Sequence, residues 1–129
     1  MKELIFFDVD NTLLDSKTHK IPDSTRQTLR EMAAFYDLGI ATGRSLSTLI
    51  ENGVAAAFPW SAYVCNNGQL VYDHNQEVRY QAHLDPEIVK QIIAAAKLHE
   101  EPLLAGTPNW CQVGTPNANQ IHAHRFFHM

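Results

Sequence analysis

Two carboxylates one residue apart, Asp8 and Asp10, stand directly after the apolar run Leu4-Ile5-Phe6-Phe7. The run reads as a buried strand, and in open α/β sheets ligands bind outside the carboxyl ends of the strands. Acids placed there need compensation, because an unpaired buried charge is expensive. A divalent cation with oxygen ligands supplies it. If strand geometry persists through Asp10, the two acids share a face. If the chain turns just after Asp8, Asp10 swings instead toward a leaving group. Asn11 suits such a turn, because Asn tolerates left-handed backbone angles. A second polar stretch, Thr42-Gly43-Arg44-Ser45, closes another short apolar segment. The Thr42 hydroxyl can hydrogen-bond a phosphoryl oxygen, as can N–H groups opening the next helix. Ser45 is a good N-cap. A third stretch, Asn66-Asn67-Gly68, ends a further strand with a strong turn signal.

The elements that must hold these residues alternate between strand and helix, which argues for an α/β fold. Pro22-Asp23 open a helix expected to run to about Ala34, with Pro in the first turn and Asp at its positive end. Leu29, Met32 and Ala33 give it an apolar stripe. The second strand is expected over Leu38 to Ala41. Leu46, Leu49, Ile50, Gly53 and Val54 then follow at helical spacing. Pro59-Trp60 mark a turn before a third strand, Ser61 to Cys65. Gln69 to Asp73 and Glu77 to Tyr80 alternate like a hairpin. Residues 13–21 read as a short hairpin or flap with turn chemistry at Asp15 to Thr18; Asp15 and His19 are expected to be solvated turn residues. Asp85-Pro86-Glu87 start another helix, with Ile88, Ile92, Ala95 and His99 on one stripe. Leu103 to Ala105 reads as a short strand, and Gly106 to Met129 shows turns without a period.

With 129 residues the chain is long enough for one domain of ordinary size. Hydrophobic residues make up 45% and charged residues 19%, which suits a packed core rather than disorder. The net charge of -4 argues against nonspecific nucleic-acid binding, which needs a basic face. No apolar run is long enough to span a membrane. Met1-Lys2-Glu3 lead straight into the first strand without a signal-peptide pattern, so a cytoplasmic setting is expected. Cys65 and Cys111 form no C-x-x-C and are expected to be free thiols.

The run FFDVDNTLL, Phe6 to Leu14, resembles motif I of the haloacid dehalogenase (HAD) superfamily in its phosphatase form. By that resemblance Asp8 is the nucleophile that takes the phosphoryl group as an aspartyl phosphate. Asp10 is the general acid and then base, and its backbone carbonyl joins Asp8 in binding Mg2+. Asn11 stands where Gly is often found. Thr42 in T-G-R-S matches motif II as the phosphate-binding residue, beside Gly43. The T-G-R itself is similar to that of the Cof-like branch, which carries a large cap. Arg44 either contacts substrate or braces the site, with a surface salt bridge as the plainer alternative. VCNNGQLVYD, Val64 to Asp73, resembles another element of the same branch. There Asn66 or Asn67 approaches the substrate, or the pair only forms the turn. The implied substrate-binding set is Thr42, Gly43, Arg44 and Asn67, the cofactor Mg2+, and the substrate a small phosphorylated metabolite such as a sugar phosphate. The implied fold is an incomplete Rossmann-like HAD core, a parallel sheet with flanking helices. Residues 1–81 form its N-terminal part, and residues 82–129 the start of an α/β cap and an irregular tail.

The resemblance covers roughly residues 3–100. From Pro102 to Met129 there is no Asp, Glu or Lys, so the family's later Lys and acidic pair have no counterpart, and Lys90 and Lys97 fall on the presumed cap helix. A truncated product, an altered reading frame, or a short form completed by self-association each explain this. Weak or absent turnover is expected of the chain alone. A non-catalytic HAD-fold binding protein is the alternative, with a homodimer through an unfinished sheet edge. A phosphomutase shares motif I and stays open. A receiver domain is set aside, because the third strand ends in Cys65-Asn66-Asn67 without the phosphoacceptor Asp that fold needs. His122, His124 and His128 are spaced to offer a metal site, against the plainer reading of a noncatalytic tail.

Overall fold

A computed structural model describes residues 1–105 and 111–113 of the chain. By contacts it divides into two units, Met1–Ala82 and His83–Met129.

The first unit is built on a five-stranded sheet. Its elements run β1 (Glu3–Phe7), α1 (Asp23–Met32), β2 (Tyr36–Ala41), α2 (Leu46–Glu51), β3 (Ala62–Cys65), β4 (Leu70–Asp73) and β5 (Val78–Gln81). The strand order is β1-β2-β3-β4-β5. β1, β2 and β3 are mutually parallel, while β4 and β5 add as an antiparallel hairpin. The expected parallel sheet is thus a mixed one, because the tight Asn-Asn-Gly turn after β3 sends the chain straight back. Asp73 stiffens the next turn, accepting hydrogen bonds from the backbone N–H groups of Asn75 (2.9 Å) and Glu77 (3.0 Å).

One face of the sheet carries the core. Ile5 and Phe7, Leu38 and Ile40, Tyr63 and Cys65, and Leu70 and Tyr72 alternate inward and pack with Leu29 of α1 and Leu46 and Leu49 of α2. Both crossover helices therefore lie on the same face, as right-handed connections between successive neighbouring strands require. Trp60 closes the far end of this core, 1% exposed, and its indole N–H donates to the Val54 carbonyl at 3.0 Å.

The opposite face is different at β1. The apolar run reads as a buried strand, yet Leu4 and Phe6 are 44% and 43% exposed. β1 is an edge strand, with nothing paired on its outer side among the described residues. The Phe6 ring lies over Gly39; a Cβ there would come within 2.7 Å of a ring carbon and 3.1 Å of the Ala62 carbonyl.

Several boundaries differ from the sequence reading. β2 begins at Tyr36, two residues before Leu38, because Asp37 points to the exposed face and hides the alternation. α1 ends at Met32, and residues 33–35 turn through bonds from the N–H groups of Ala34 and Phe35 to Glu31 and Met32. α2 ends at Glu51; Leu46, Leu49 and Val54 are buried, but Ile50 is on the outside. Residues 13–21 make no hairpin. They form a closed turn, in which the Asp15 carboxylate accepts from the N–H groups of Lys17 (2.9 Å) and Thr18 (2.8 Å). Those backbone donors, Thr18 first, hold the Asp15 carboxyl below its ordinary range. Asp15 is thus a turn residue.

The second unit contains α3 (Pro86–Leu98) and the antiparallel pair β6 (Leu103–Ala105) and β7 (Cys111–Val113). Asp85 caps α3, accepting from the Glu87 N–H at 2.8 Å, with Pro86 in the first turn. No residue of α3 is buried. The tail with His122, His124 and His128 lies outside the described residues. Among the described residues, no helix is long and apolar enough to cross a membrane.

Candidate active site

The C-terminal ends of β1 and β2 lie level, with Phe7 opposite Ile40 in the parallel register. Asp8 and Thr42 therefore emerge from neighbouring strand ends, as in other open α/β sheets where ligands meet the strand tips. β1 stops at Phe7, so the chain turns directly after Asp8. Asn11 takes the left-handed conformation (φ 62°) that this turn needs, and the N–H groups of Leu13 and Leu14 close it on the Val9 carbonyl at 3.1 and 2.9 Å. Of the two backbone courses open for this stretch, the chain thus takes the turn just after Asp8. Leu13, Leu14 and Val9 are buried and anchor the turn from below.

Asp8 is exposed. Its Oδ2 accepts from the Thr12 hydroxyl at 3.3 Å. Thr12 was not singled out from the sequence; its signal is the four-residue spacing from Asp8 in a turn that folds back on itself. A pocket of about 240 Å3 lies beside it, lined by residues 11–16 and Pro22.

Asp10 is 37% exposed and is gripped by Arg44, which is only 7% exposed. Arg44 Nε donates to Oδ2 at 2.9 Å, and Nη2 donates to Oδ1 at 2.7 Å. Of the readings open for Arg44, a surface salt bridge does not describe this: the guanidinium is inside.

Thr42, Arg44 and Ser45 are all buried. The Thr42 N–H donates to the Val64 carbonyl of β3 at 2.9 Å, and the Thr42 Oγ1 accepts from the Arg44 N–H at 3.1 Å. Ser45 caps α2 as expected, its Oγ accepting from the Thr48 N–H at 3.3 Å. The third stretch locks onto the second. The N–H of Asn66 donates to the Arg44 carbonyl at 3.0 Å, and that of Asn67 to the Thr42 carbonyl at 3.2 Å. Asn66, Asn67 and Gly68 all have positive φ (52°, 55° and 89°), which explains the Asn-Asn-Gly sequence. Asn67 is exposed, and its Oδ1 lies 2.9 Å from where a Cβ on Gly43 would sit. Gly43 thus admits the Asn67 amide to the loop. Asn66 is buried, and its Oδ1 has no hydrogen-bond partner among the described residues.

The structure brings Asp10 to Arg44 and Asn67 to Gly43, and it places Asp8 and Thr42 just past the ends of two neighbouring parallel strands. Among the described residues no group of three or more His, Cys, Asp or Glu is placed to hold a metal ion. Lys90 lies on α3 and pairs with Glu87 at 2.7 Å.

The family model for haloacid dehalogenase-like hydrolases matches residues 5–126. Among solved structures, the chain is similar to a hypothetical protein from Geobacillus kaustophilus (24% identity, TM-score 0.82, all of this chain and 50% of that one). It is also similar to a HAD subclass IIB sugar phosphatase (29% identity, TM-score 0.77, 99% of this chain and 50% of that one). A third is a phosphatase of the same superfamily from Bacteroides thetaiotaomicron (20% identity, TM-score 0.81, 99% of this chain and 47% of that one). The chain spans about half the length of each of these structures. No curated protein sequence matches it.

Proposed function

The chain belongs to the haloacid dehalogenase-like hydrolases, and from that premise we propose that it carries the phosphate-handling part of a Mg2+-dependent phosphatase for a small phosphorylated metabolite. The observation that carries the reading is the pairing of strand tips. An exposed carboxylate at Asp8 ends β1, and the Thr42-Gly43 turn ends its parallel neighbour. Phosphoryl transfer depends mostly on positioning and charge stabilisation, which such a floor supplies.

In this reading Asp8, oriented by Thr12, attacks phosphorus and becomes an aspartyl phosphate. The substrate's P–O bond breaks, and its oxygen leaves with a proton from Asp10. Asp10 then takes a proton from water, which attacks the phosphorus and releases inorganic phosphate and the Asp8 carboxylate. The Thr42 hydroxyl, the Gly43 N–H and the Asn67 amide hold the phosphate oxygens. The oxygen donors at Asp8 and Asp10 suit Mg2+, which when bound offsets the charge of phosphate against carboxylate. An ion held by only these two residues would retain several waters. The likeness to a sugar phosphatase at 29% identity favours a sugar phosphate as substrate. A cytoplasmic setting suits that substrate class and the free Cys65 thiol.

The test is hydrolysis of p-nitrophenyl phosphate with Mg2+. Turnover is expected to vanish in Asp8→Asn. Hydrolysis that survives Asp8→Asn contradicts the proposal. One observation favours a second reading, a self-associating HAD-fold binding protein: the β1 edge, unpaired among the described residues, with half-exposed Leu4 and Phe6. A dimeric mass in solution supports it, and a monomer at all concentrations contradicts it.

A further inference from the structure

We propose that Arg44 is a positioning residue for Asp10 rather than a ligand of the substrate; this rests on the role given to Asp10 above. The grip is two-pronged, at 2.9 and 2.7 Å, and engages both carboxylate oxygens. Such a fork fixes orientation as well as distance, because the guanidinium is planar and its donors are rigidly spaced. Each oxygen keeps a further lone pair, so the carboxylate stays able to exchange a proton while held.

Burial sets the direction of the arrangement. The guanidinium is 7% exposed and the carboxylate 37% exposed, so the base lies inside and the acid faces outward. A ligand arriving from solvent meets Asp10 first. The Arg44 backbone is fixed on both sides, by its N–H on Thr42 Oγ1 and its carbonyl on the Asn66 N–H. The buried Ser45 cap follows directly. Asp10, by contrast, sits in a turn with left-handed Asn11 beside it. The fork therefore transfers the rigidity of the β2 and β3 strand ends to a side chain on the looser β1 turn, which would otherwise sample several rotamers. Drawing Arg44 onto a phosphate would strip both bonds from Asp10 and leave the acid unplaced. Arg44→Lys is not conservative here, because a single ammonium cannot hold both oxygens.

The experiment is NMR of the 15N- and 13C-labelled chain in Mg2+-containing buffer, titrated with inorganic phosphate. A distinct, slowly exchanging Arg44 Nε–H signal is expected, lost in both Asp10→Ala and Asp10→Ser while the amide spectrum keeps its dispersion. Phosphate should move the Thr42 and Gly43 amide signals and leave the Arg44 Nε–H in place. In Arg44→Lys, phosphate affinity should stay within about twofold while the Asp10 carboxyl carbon shifts, an effect a merely structural role would spread over the whole core. An Arg44 signal indifferent to both Asp10 substitutions, or one that saturates with phosphate alongside Gly43, overturns the proposal. If phosphate moves no signal anywhere, the proposed function fails, and the Asp10 dependence still decides the pairing.

Discussion

β1 and β2 each carry half of the candidate site, and they are held in opposite ways. β2 lies between two neighbours, and Leu38, Gly39 and Ile40 are all buried. The residues at its tip, Thr42, Arg44 and Ser45, are buried too, and Thr42 and Arg44 are tied to the end of β3 by hydrogen bonds. Among the described residues β1 has one neighbour; two of its apolar residues are half-exposed, and Asp8 at its tip is exposed. Among the described residues, the strand that ends at Asp8 is thus the less supported one. The difference teaches that precision here comes from β2, and reaches the β1 turn through the Arg44–Asp10 grip.

Stability measurements bear directly on that contrast. Ile40→Ala on β2 should lower the unfolding free energy by about 2–5 kcal/mol, the range for deleting a fully buried aliphatic side chain. Leu4→Ala on β1, already 44% exposed, should cost under about 1 kcal/mol, as most substitutions away from the core do. Denaturant midpoints at fixed slope report both. Equal losses would mean that the outer face of β1 is covered in solution, and the contrast would fall.

The contact between the two strands gives the next effect. Gly39→Ala places a methyl group against the Phe6 ring and the Ala62 carbonyl, and should cost about 1–3 kcal/mol as overpacking does. Adding Phe6→Ala should recover part of that loss, because the ring is the closer obstacle. No recovery would locate the strain at the Ala62 backbone instead.

A smaller, pH-dependent effect belongs to β3, on the buried side of the contrast. Burial pushes the Cys65 thiol up to about 12 from an ordinary 9.0, and raises the Tyr63 and Tyr72 hydroxyls above their ordinary 10.0. The folded state therefore holds these protons more tightly than the unfolded state. Their contribution to stability is complete below pH 9 and is lost as pH rises toward 12. Cys65→Ala should flatten the decline between pH 9 and 12 without removing it, since the tyrosines remain. An unchanged decline would contradict the assignment to Cys65.

The site was legible where local chemistry and local structure coincide. The turn after the β1 strand that carries Asp8 and Asp10, the left-handed Asn11 and the Ser45 cap are each written within a few residues of where they sit. Alternation also gave the β4–β5 hairpin, and the Asp85-Pro86-Glu87 cap the start of α3. Long-range relations stayed hidden. Nothing local pairs Arg44 with Asp10 across 34 positions, or tells an apolar run such as Leu4 to Phe7 whether it will lie in the middle of a sheet or at its edge. Asp37 concealed the start of β2 because its outward position on a buried strand breaks the apolar run.

The central claim, that a phosphoryl group meets the Asp8 carboxylate and is held from the β2 tip, is tested most directly by crystallising the chain with Mg2+ and fluoroberyllate, a mimic of an aspartyl phosphate. The beryllium should be bonded to an Asp8 oxygen, with fluorine atoms facing the Thr42 hydroxyl and the Gly43 N–H. Fluoroberyllate bound elsewhere, or an Asp8 carboxylate left bare beside bound Mg2+, would contradict it.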